Sequence, residues 1–283
     1  MRINMLKLYE CGYCTHPEKM VYPKGTWKTE KYPAMVGLLH HPTKGYILFD
    51  TGYAQHFLDA TKSFPFSIYA KLTPVYFNEE KSIKNQLIND GISPDEIKFI
   101  IISHFHGDHT SGLKDFPNAK FLTFEKAYAG IKGESKFQAL KKGCLLDTLP
   151  EDIEERMMFI DKKPIQELPY EFKPFNSGFD VFNDGSLYAV DLTGHAIGQL
   201  GIFVRFENHT PVFLCSDAVW VSKSFKELVY PSIVTNLLTG DPESYKQNIQ
   251  KLHSLSQLSP QVEILPTHCS YTWSKAKEGY IYE

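Results

Sequence analysis

Short runs of apolar residues recur along this chain and alternate with segments of helical periodicity. Such runs, rich in β-branched residues and bounded by turn-forming residues, are typical of strands. The predicted strands are Ile3–Tyr9, Met35–His40, Tyr46–Asp50, Phe99–Ser103, Lys120–Thr123, Leu187–Asp191, Gly201–Phe206, Val212–Cys215 and Val262–Leu265. Strands that alternate with helices predict an α/β or α+β sandwich and exclude an all-helical protein.

Two segments predict helices. The clearer one begins at Asp241-Pro242, where Asp is the N-cap and Pro takes the first helical position. Its apolar face consists of Tyr245, Ile249, Leu252 and Leu255. The second helix begins near Lys81 and stops at Gly91, and its apolar positions are Ile83, Leu87 and Ile88.

Side chains that bind metals are concentrated where one predicted strand ends. The hexad His-Phe-His-Gly-Asp-His at positions 104–109 directly follows a run that is typical of a buried strand. Imidazole and carboxylate groups bind zinc, iron or manganese, and four such ligands this close cannot all surround one ion comfortably. We therefore predict two ions close together. His104 and His106 would bind one ion, and Asp108 and His109 the other.

The hexad matches the signature His-x-His-x-Asp-His, and on this basis the chain resembles the metallo-β-lactamase fold superfamily. The segment Tyr46–Gly52 resembles the family's strand that ends in Asp-Thr-Gly. The resemblance implies that Asp50 is a carboxylate behind the ligands that orients the metal-binding loop. The segment Asp191–His195 resembles the family's Thr-x-Gly-His, which implies that His195 completes the ligands of the first ion.

Two further strand ends match the family in order. Val212–Asp217 ends in the position of the aspartate that bridges both ions, and Val262–His268 ends in the last ligand of the second ion. The implied metal ligands are therefore His104, His106, Asp108, His109, His195, Asp217 and His268. The resemblance covers about residues 35–268 and implies a four-layer αβ/βα sandwich of the metallo-β-lactamase type, with the metals at one edge.

The spread of the ligands also predicts the domain organisation. Because they extend from His104 to His268, most of the chain must converge on one site, so we expect a single domain over residues 1–283. Roughly 85 residues separate His109 from His195. Within that span, residues 130–182 are a candidate insertion. They would form either a lid or cap that shapes the substrate pocket, or a peripheral helical decoration.

Two metal ions with an open coordination position predict hydrolysis. A water that bridges two divalent ions loses a proton near neutral pH, and the resulting hydroxide can attack a carbonyl carbon. Asp217 or Asp108 would then pass a proton to the leaving oxygen. The site alone allows an ester, lactone, thioester, amide or phosphodiester substrate. We expect two zinc ions, while iron, manganese and cobalt suit the same ligands.

Within the superfamily, the chain is similar to the N-acyl homoserine lactonase group in length, ligand set and short tail. We therefore expect hydrolysis of an acyl ester bond, most simply a lactone, with a glyoxalase II-like thioesterase or a phosphodiesterase as alternatives. The lactonases commonly carry a Tyr three residues after the bridging Asp, and here that position is Trp220, which offers only an N–H donor. Trp220 is our candidate substrate-binding residue. Intact ligands argue against an inactive scaffold, and the absence of Glu from the hexad argues against a two-iron redox protein.

Composition limits the partners and the compartment. The net charge is −3, and no block of Lys or Arg is long enough to follow a phosphate backbone, so a nucleic-acid partner is not expected. No segment approaches the roughly 18 apolar residues of a membrane span, and the amino terminus has no apolar signal region. Five cysteines, an odd number, fit a cytoplasmic protein. Cys11 and Cys14 are expected to be ordinary thiols, the alternative being a metal or redox pair.

Aromatic residues cluster between the Asp-Thr-Gly segment and the next predicted helix. They are Phe64, Phe66, Tyr69, Tyr76 and Phe77. They would serve core packing or a homodimer face, or they would form the apolar wall of a pocket for an acyl chain. The expected partner is in either case a small ester or lactone.

Overall fold

The computed structural model describes residues 1–232 and 239–283. The strands are β1 (Met5–Pro17), β2 (Thr29–His41), β3 (Gly45–Phe49), β4 (Val75–Tyr76), β5 (Ile97–Ile101), β6 (Lys120–Thr123), β7 (Met157–Phe159), β8 (Gln166–Glu167), β9 (Ser177–Asp180), β10 (Leu187–Asp191), β11 (Leu200–Val204), β12 (Val212–Ser216), β13 (Glu263–Pro266) and β14 (Ile281–Tyr282). The α-helices of these described ranges are α1 (Glu18–Val21), α2 (Gln55–Ala60), α3 (Ser67–Leu72), α4 (Ile83–Asn89), α5 (Gly107–Thr110), α6 (Glu125–Ala129), α7 (Lys136–Lys141), α8 (Ile153–Arg156), α9 (Ser222–Lys226), α10 (Pro242–Leu258) and α11 (Ser270–Lys277). Short 3-10 turns lie at Glu79–Lys81, Pro94–Glu96, Leu113–Asp115, Leu146–Thr148, Ile160–Lys162 and Tyr170–Phe172.

The strands form two mixed sheets. The first has the order β14-β1-β2-β3-β5-β6-β7, with β4 paired to β1, and the second has the order β13-β12-β11-β10-β9-β8. In the first sheet β3, β5, β6 and β7 run parallel, whereas β1, β2, β3 and β14 pair antiparallel. Among the described strands of the second sheet, β12 and β13 are the one parallel pair. The carboxyl ends of β5, β10, β12 and β13, which precede the predicted metal ligands, thereby meet at one edge of the sandwich.

The two sheets pack face to face, and alternation along each strand builds the layers. In β3, Ile47 and Phe49 face the second sheet, whereas Leu48 faces the helices outside the first sheet. In β12, Leu214 lies in the core between the sheets, and Phe213 packs against the outer helices. Side chains that alternate along a strand point to opposite faces, so a strand apolar at every position is buried on both sides.

Helices cover both outer faces. Outside the first sheet, α4 and the segment around α6 and α7 contribute Ile83, Leu87, Ala127 and Ala139. Outside the second sheet, α9 and α10 contribute Phe225, Ile249, Leu252 and Leu255. The order of layers is helix, sheet, sheet, helix, which confirms the predicted four-layer αβ/βα sandwich.

All nine predicted strands are present, and β6 and β10 have the predicted bounds. The largest difference concerns β1, which was predicted over Ile3–Tyr9 and continues instead to Pro17. A bulge between Glu10 and Tyr13 shifts the register, and the strand then pairs with β2 as far as Pro17 opposite Thr29. Polar residues such as Thr15 and His16 follow this bulge, so the apolar pattern does not indicate that the strand continues. Five strands of the described residues were not predicted, namely β4, β7, β8, β9 and β14, which have two to four residues each.

Both predicted helices are confirmed. The side chain of Asp241 accepts hydrogen bonds from the backbone N–H groups of Glu243 and Ser244, and Pro242 opens α10. In α4, Ile83 and Leu87 are buried as expected, but Ile88 is 49% exposed. Ile88 follows Leu87 directly and therefore points away from the sheet, since neighbours along a helix lie about 100° apart.

The segment 130–182 takes part in both sheets. It contributes α7 and α8, and it also contains β7, β8 and β9. Strand β7 is the last strand of the first sheet, and β8 is the last strand of the second. Among the described residues, no helix has the length and apolar character needed to cross a membrane.

The Asp241 cap generates a stability prediction. Replacing Asp241 with Ala should lower the free energy of unfolding by about 1 kcal/mol, because two N–H groups of α10 lose their acceptor. Asp241→Asn keeps an acceptor oxygen and should cost much less. Chemical denaturation of both variants measures the difference. An equal loss in the two variants would contradict the capping role.

Candidate metal centre

Four separate parts of the chain meet at one edge of the sandwich. The hexad 104–109 follows β5 of the first sheet and continues into the short helix α5. His195 follows β10, Asp217 follows β12 and His268 follows β13, all in the second sheet. Because β12 and β13 are parallel neighbours, the residues that follow them leave the sheet side by side. The structure thus brings together all seven predicted ligands.

The seven side chains fall into two groups with a carboxylate between them. Within each group the candidate ligand atoms lie within 4.8 Å of one another, and the groups are His104, His106 and His195, and Asp108, His109 and His268. Asp217 forms a further group with His104 and His109. Its Oδ2 atom lies 2.9 Å from His268 Nε2 and 3.4 Å from His195 Nε2. A carboxylate in that position can reach an ion in either group.

Several atoms of this cluster lack a hydrogen-bond partner, although His109 Nε2 and Asp217 Oδ1 lie 3.5 Å apart as a charge pair. His104 Nε2, His109 Nε2 and Asp217 Oδ1 are buried without a hydrogen bond within the described residues. A buried polar atom without a partner costs about 1–3 kcal/mol, so three at one place indicate a missing bonding group. Imidazole nitrogens and carboxylate oxygens suit divalent cations such as zinc. The residues present therefore fit two metal ions.

Burial keeps three of the histidines neutral. It lowers the pKa of His104 well below the usual value, lowers that of His106, and lowers that of His195 to about 3. The neighbouring imidazoles add to this effect for His104 and His195, because positive charges so close would repel. A neutral imidazole has a free lone pair, which is the form that binds a metal ion.

The other group is dominated by charge pairs. Burial opposes a charge on His109 and His268, yet the nearby carboxylates of Asp108 and Asp217 outweigh it and raise both pKa values. Burial likewise opposes the charge of Asp217, but His268 and His109 outweigh it and hold its pKa well below the usual range. Asp217 is therefore an anion, and positive charge is favoured beside it.

Hydrogen bonds behind the ligands fix which ring nitrogen faces the cluster. His109 Nδ1 lies 2.8 Å from Asp50 Oδ2, and His268 Nδ1 lies 2.8 Å from the carbonyl oxygen of Pro33. Because both oxygens can only accept, each Nδ1 donates its hydrogen and each Nε2 faces the cluster, where a metal ion would replace the proton that pairs with the carboxylates. His104 Nδ1 is held in the same way, 3.0 Å from Ser103 Oγ. Asp50 thus lies directly behind His109, on the side of the ring away from the cluster.

Two serines in this layer were not predicted. Asp50 accepts from the backbone N–H of Ser103 at 2.8 Å and from its hydroxyl at 2.7 Å. Ser216 Oγ donates to Ser103 Oγ at 2.8 Å, which links the two sheets. Asp50 and Ser216 both have positive φ, 61° and 50°, a conformation that is strained for residues other than glycine. In the sequence, Ser103 directly precedes His104 and Ser216 directly precedes Asp217, and this adjacency was the signal by which the two serines could have been found.

Trp220 lies against the second group of ligands. Its ring centroid is 4.3 Å from that of His268 and 6.4 Å from that of His195. On the other side its ring centroid lies 5.6 Å from that of Tyr32 and 5.8 Å from that of His16, two residues that no sequence pattern indicated. Both come from β1 and β2, the strands whose extension the apolar pattern did not reveal.

The aromatic segment divides into two parts. Phe66, Tyr69 and Phe77 pack into the same apolar cluster as Trp220. Phe64 is 80% exposed, and Tyr76 is half exposed and stacks on Tyr13 with centroids 5.0 Å apart. Only the first three therefore border the region of Trp220.

Cys11 and Cys14 are buried and free. Burial raises the pKa of both thiols, so they are protonated and weakly nucleophilic. Neither belongs to a group of candidate metal ligands in the ranges that the structure describes.

Comparison with known proteins agrees with this geometry. The profile of the Metallo-beta-lactamase superfamily matches residues 31–268. The chain is 23% identical to the N-acyl homoserine lactonase AttM of Azorhizobium caulinodans, over 99% of this chain and 97% of that protein. It is 22% identical to the AttM of Rhizobium johnstonii with the same coverage.

Solved structures show the same fold. An N-acyl homoserine lactone hydrolase with N-hexanoyl-L-homoserine bound at its catalytic metal centre superposes with a TM-score of 0.69, at 21% identity over 97% of both chains. The dizinc quorum-quenching lactonase AidC gives a TM-score of 0.61, at 15% identity over 96% of this chain and 91% of that chain. The chain belongs to the metallo-beta-lactamase superfamily.

Asp50 generates a prediction about metal binding. Asp50→Asn should weaken zinc binding roughly 10- to 100-fold, because the amide holds the imidazole of His109 less firmly. Competition with a chromogenic chelator measures the affinity. Asp184→Asn is the matched control, since Asp184 pairs with the buried His41 at 2.9 Å before β10, at the end opposite to the ligands. Equal affinity in both variants would show that Asp50 does not support the ligands.

Proposed function

We propose that this protein is a metal-dependent hydrolase that opens lactones of the N-acyl homoserine type. The observation that carries the proposal is the pair of three-ligand groups with Asp217 between them. The chain's relatives support the lactone as the bond that is cleaved, because proteins named N-acyl homoserine lactonase match it over nearly its full length.

The assignment of the ligands follows from the two groups. His104, His106 and His195 would hold one ion. Asp108, His109 and His268 would hold the second, and Asp217 would contact both. We propose zinc, which the ligand types suit. Two such ions would supply Lewis acidity at the substrate carbonyl and lower the pKa of a bound water.

The two aspartates differ in their access to the substrate. The side chain of Asp108 is 11% exposed, whereas that of Asp217 is 1% exposed. Asp108 can therefore reach a substrate and pass a proton to the leaving oxygen when the ring opens. Asp217 stays ionised, because His268 and His109 stabilise its charge. Its role is to hold positive charge between the two groups.

The substrate pocket would lie beside Trp220. The indole N–H can donate one hydrogen bond to the lactone carbonyl, and it cannot act as an acid. Phe66, Tyr69 and Phe77 share the apolar cluster of Trp220 and would form the wall for an acyl chain.

We propose that the segment 130–182 shapes this pocket. Two of its residues, Leu140 and Leu145, belong to the apolar cluster that contains Trp220. A purely peripheral decoration would not reach this cluster. The segment would therefore influence which acyl chains are accepted.

The compartment and the assembly are further proposals. All five cysteines are buried and free, which supports a reducing compartment such as the cytoplasm. The exposed Phe64, Ile68 and Leu72 of the α3 region offer apolar surface for a homodimer. Light scattering on the purified protein measures the assembly.

A substrate panel tests the proposed function. Zinc-loaded protein should open short- and long-chain N-acyl homoserine lactones, while acyl thioesters and a chromogenic phosphodiester react more slowly. Asp217→Asn should reduce lactone turnover to background, because the position between the two groups loses its charge. Turnover of the thioester or phosphodiester without lactone turnover would contradict the proposal, and full activity of Asp217→Asn would contradict the role of Asp217.

Trp220 generates a separate prediction about substrate binding. Trp220→Phe should raise KM for lactones several-fold, because the ring remains against His268 while the N–H donor is lost. Trp220→Ala removes both and should also change the preference for acyl-chain length. Zinc content, measured by mass spectrometry, should stay at the wild-type level in both variants. A metal-free Trp220→Phe variant would show that the residue supports the ligands instead.

A further inference from the structure

Gly143 lies directly against the ring of one predicted ligand. It belongs to the loop after α7, far from the hexad in sequence, and has a φ of +73°. A Cβ atom built on Gly143 would lie 2.4 Å from His106 Cδ2 and 2.7 Å from His106 Nε2. Since Cβ atoms do not approach other atoms this closely, only glycine fits at this contact.

The contact is on the side of the ring that faces away from the other ligands. His106 Nδ1 lies 3.0 Å from His195 Nε2, within the first ligand group. Cδ2 and Nε2 form the edge of the imidazole opposite Nδ1, and this is the edge that meets Gly143. Gly143 thus limits how far the ring can move back from His195.

Backbone hydrogen bonds hold Gly143 in this place. The N–H of Gly107, within the hexad, donates to the carbonyl oxygen of Gly143 at 3.1 Å. The N–H groups of Gly143 and Cys144 donate to the carbonyl oxygens of Leu140 and Ala139, each at 3.0 Å. Ala139 and Cys144 are fully buried in the apolar layer outside the first sheet. The loop therefore cannot retreat without disrupting packed core.

We infer that Gly143 is a positioning residue for His106, and that the loop after α7 is part of the metal site. The loop supports the ring from behind and places Nδ1 toward His195. This inference rests on the proposed two-ion site and is independent of which substrate is cleaved. His106 of the hexad is thus supported by a residue of the segment 130–182, which the sequence pattern indicates only as an insertion.

A pair of glycine substitutions tests the inference. Gly143→Ala introduces a methyl group against His106. Gly133→Ala is the matched control, because Gly133 has nearly the same φ, +74°, and no atom within 4 Å of a built Cβ. Both variants carry the same backbone strain, so the apo proteins should lose similar thermal stability from that cause. Only Gly143→Ala also displaces a ligand.

The main readout is zinc binding, measured by chelator competition and by the number of ions per chain. We expect wild-type protein and Gly133→Ala to bind two ions with similar affinity. Gly143→Ala should bind at least one ion about tenfold more weakly or lose it. Equal affinity for Gly143→Ala and Gly133→Ala would overturn the inference. Failure of the wild type to bind two ions would instead overturn the proposed site itself.

A double-mutant cycle covers the case in which Gly143→Ala does not fold. In a His106→Ala background the ring is gone, so Gly143→Ala should cost no more stability than Gly133→Ala does. Recovery of a folded protein in the double variant would support the contact with His106. A double variant that is as unstable as Gly143→Ala alone would show that the ring is not what Gly143 accommodates.

Discussion

The hydrogen bonds of Asp50 tie the metal centre to the fold. Its carboxylate accepts from the backbone and hydroxyl of Ser103 and from the ring of His109, and Ser103 in turn accepts from Ser216 of the second sheet. These bonds join the ends of strands from both sheets in a buried setting, where an unpaired polar group is costly. The orientation of His104 and His109 depends on them.

Charge and burial are balanced in the same place. Seven candidate ligands lie together at this edge, and burial opposes a charge on the five histidines and on Asp217. Asp217 nevertheless keeps its charge, because His109 and His268 lie within reach. In the described part of the chain, two buried imidazole nitrogens and one carboxylate oxygen of this site have no hydrogen-bond partner, which is unfavourable unless cations complete the site. Metal binding at this site would therefore add to the free energy of unfolding.

The walls of the site come from parts of the chain with little sequence signal. Trp220 is enclosed by His16 and Tyr32, which lie on the extended halves of β1 and β2. Leu140, Leu145 and Gly143 come from the segment 130–182. None of these residues lies in a segment whose periodic pattern indicates a position at the site. Their importance follows from contacts between residues that are more than 30 positions apart.

The sequence by itself determined the layered fold, most strand ends and the candidate ligands, because apolar alternation and the spacing of His and Asp residues are local properties. It also indicated Asp50, through a local match to Asp-Thr-Gly. Only the tertiary structure decided that Ser103, Ser216 and Pro33 orient the candidate ligands and that Gly143 lies against His106. Such contacts depend on how the two sheets and a distant loop pack against each other. Contacts between residues far apart in the sequence do not produce a periodic pattern along the chain.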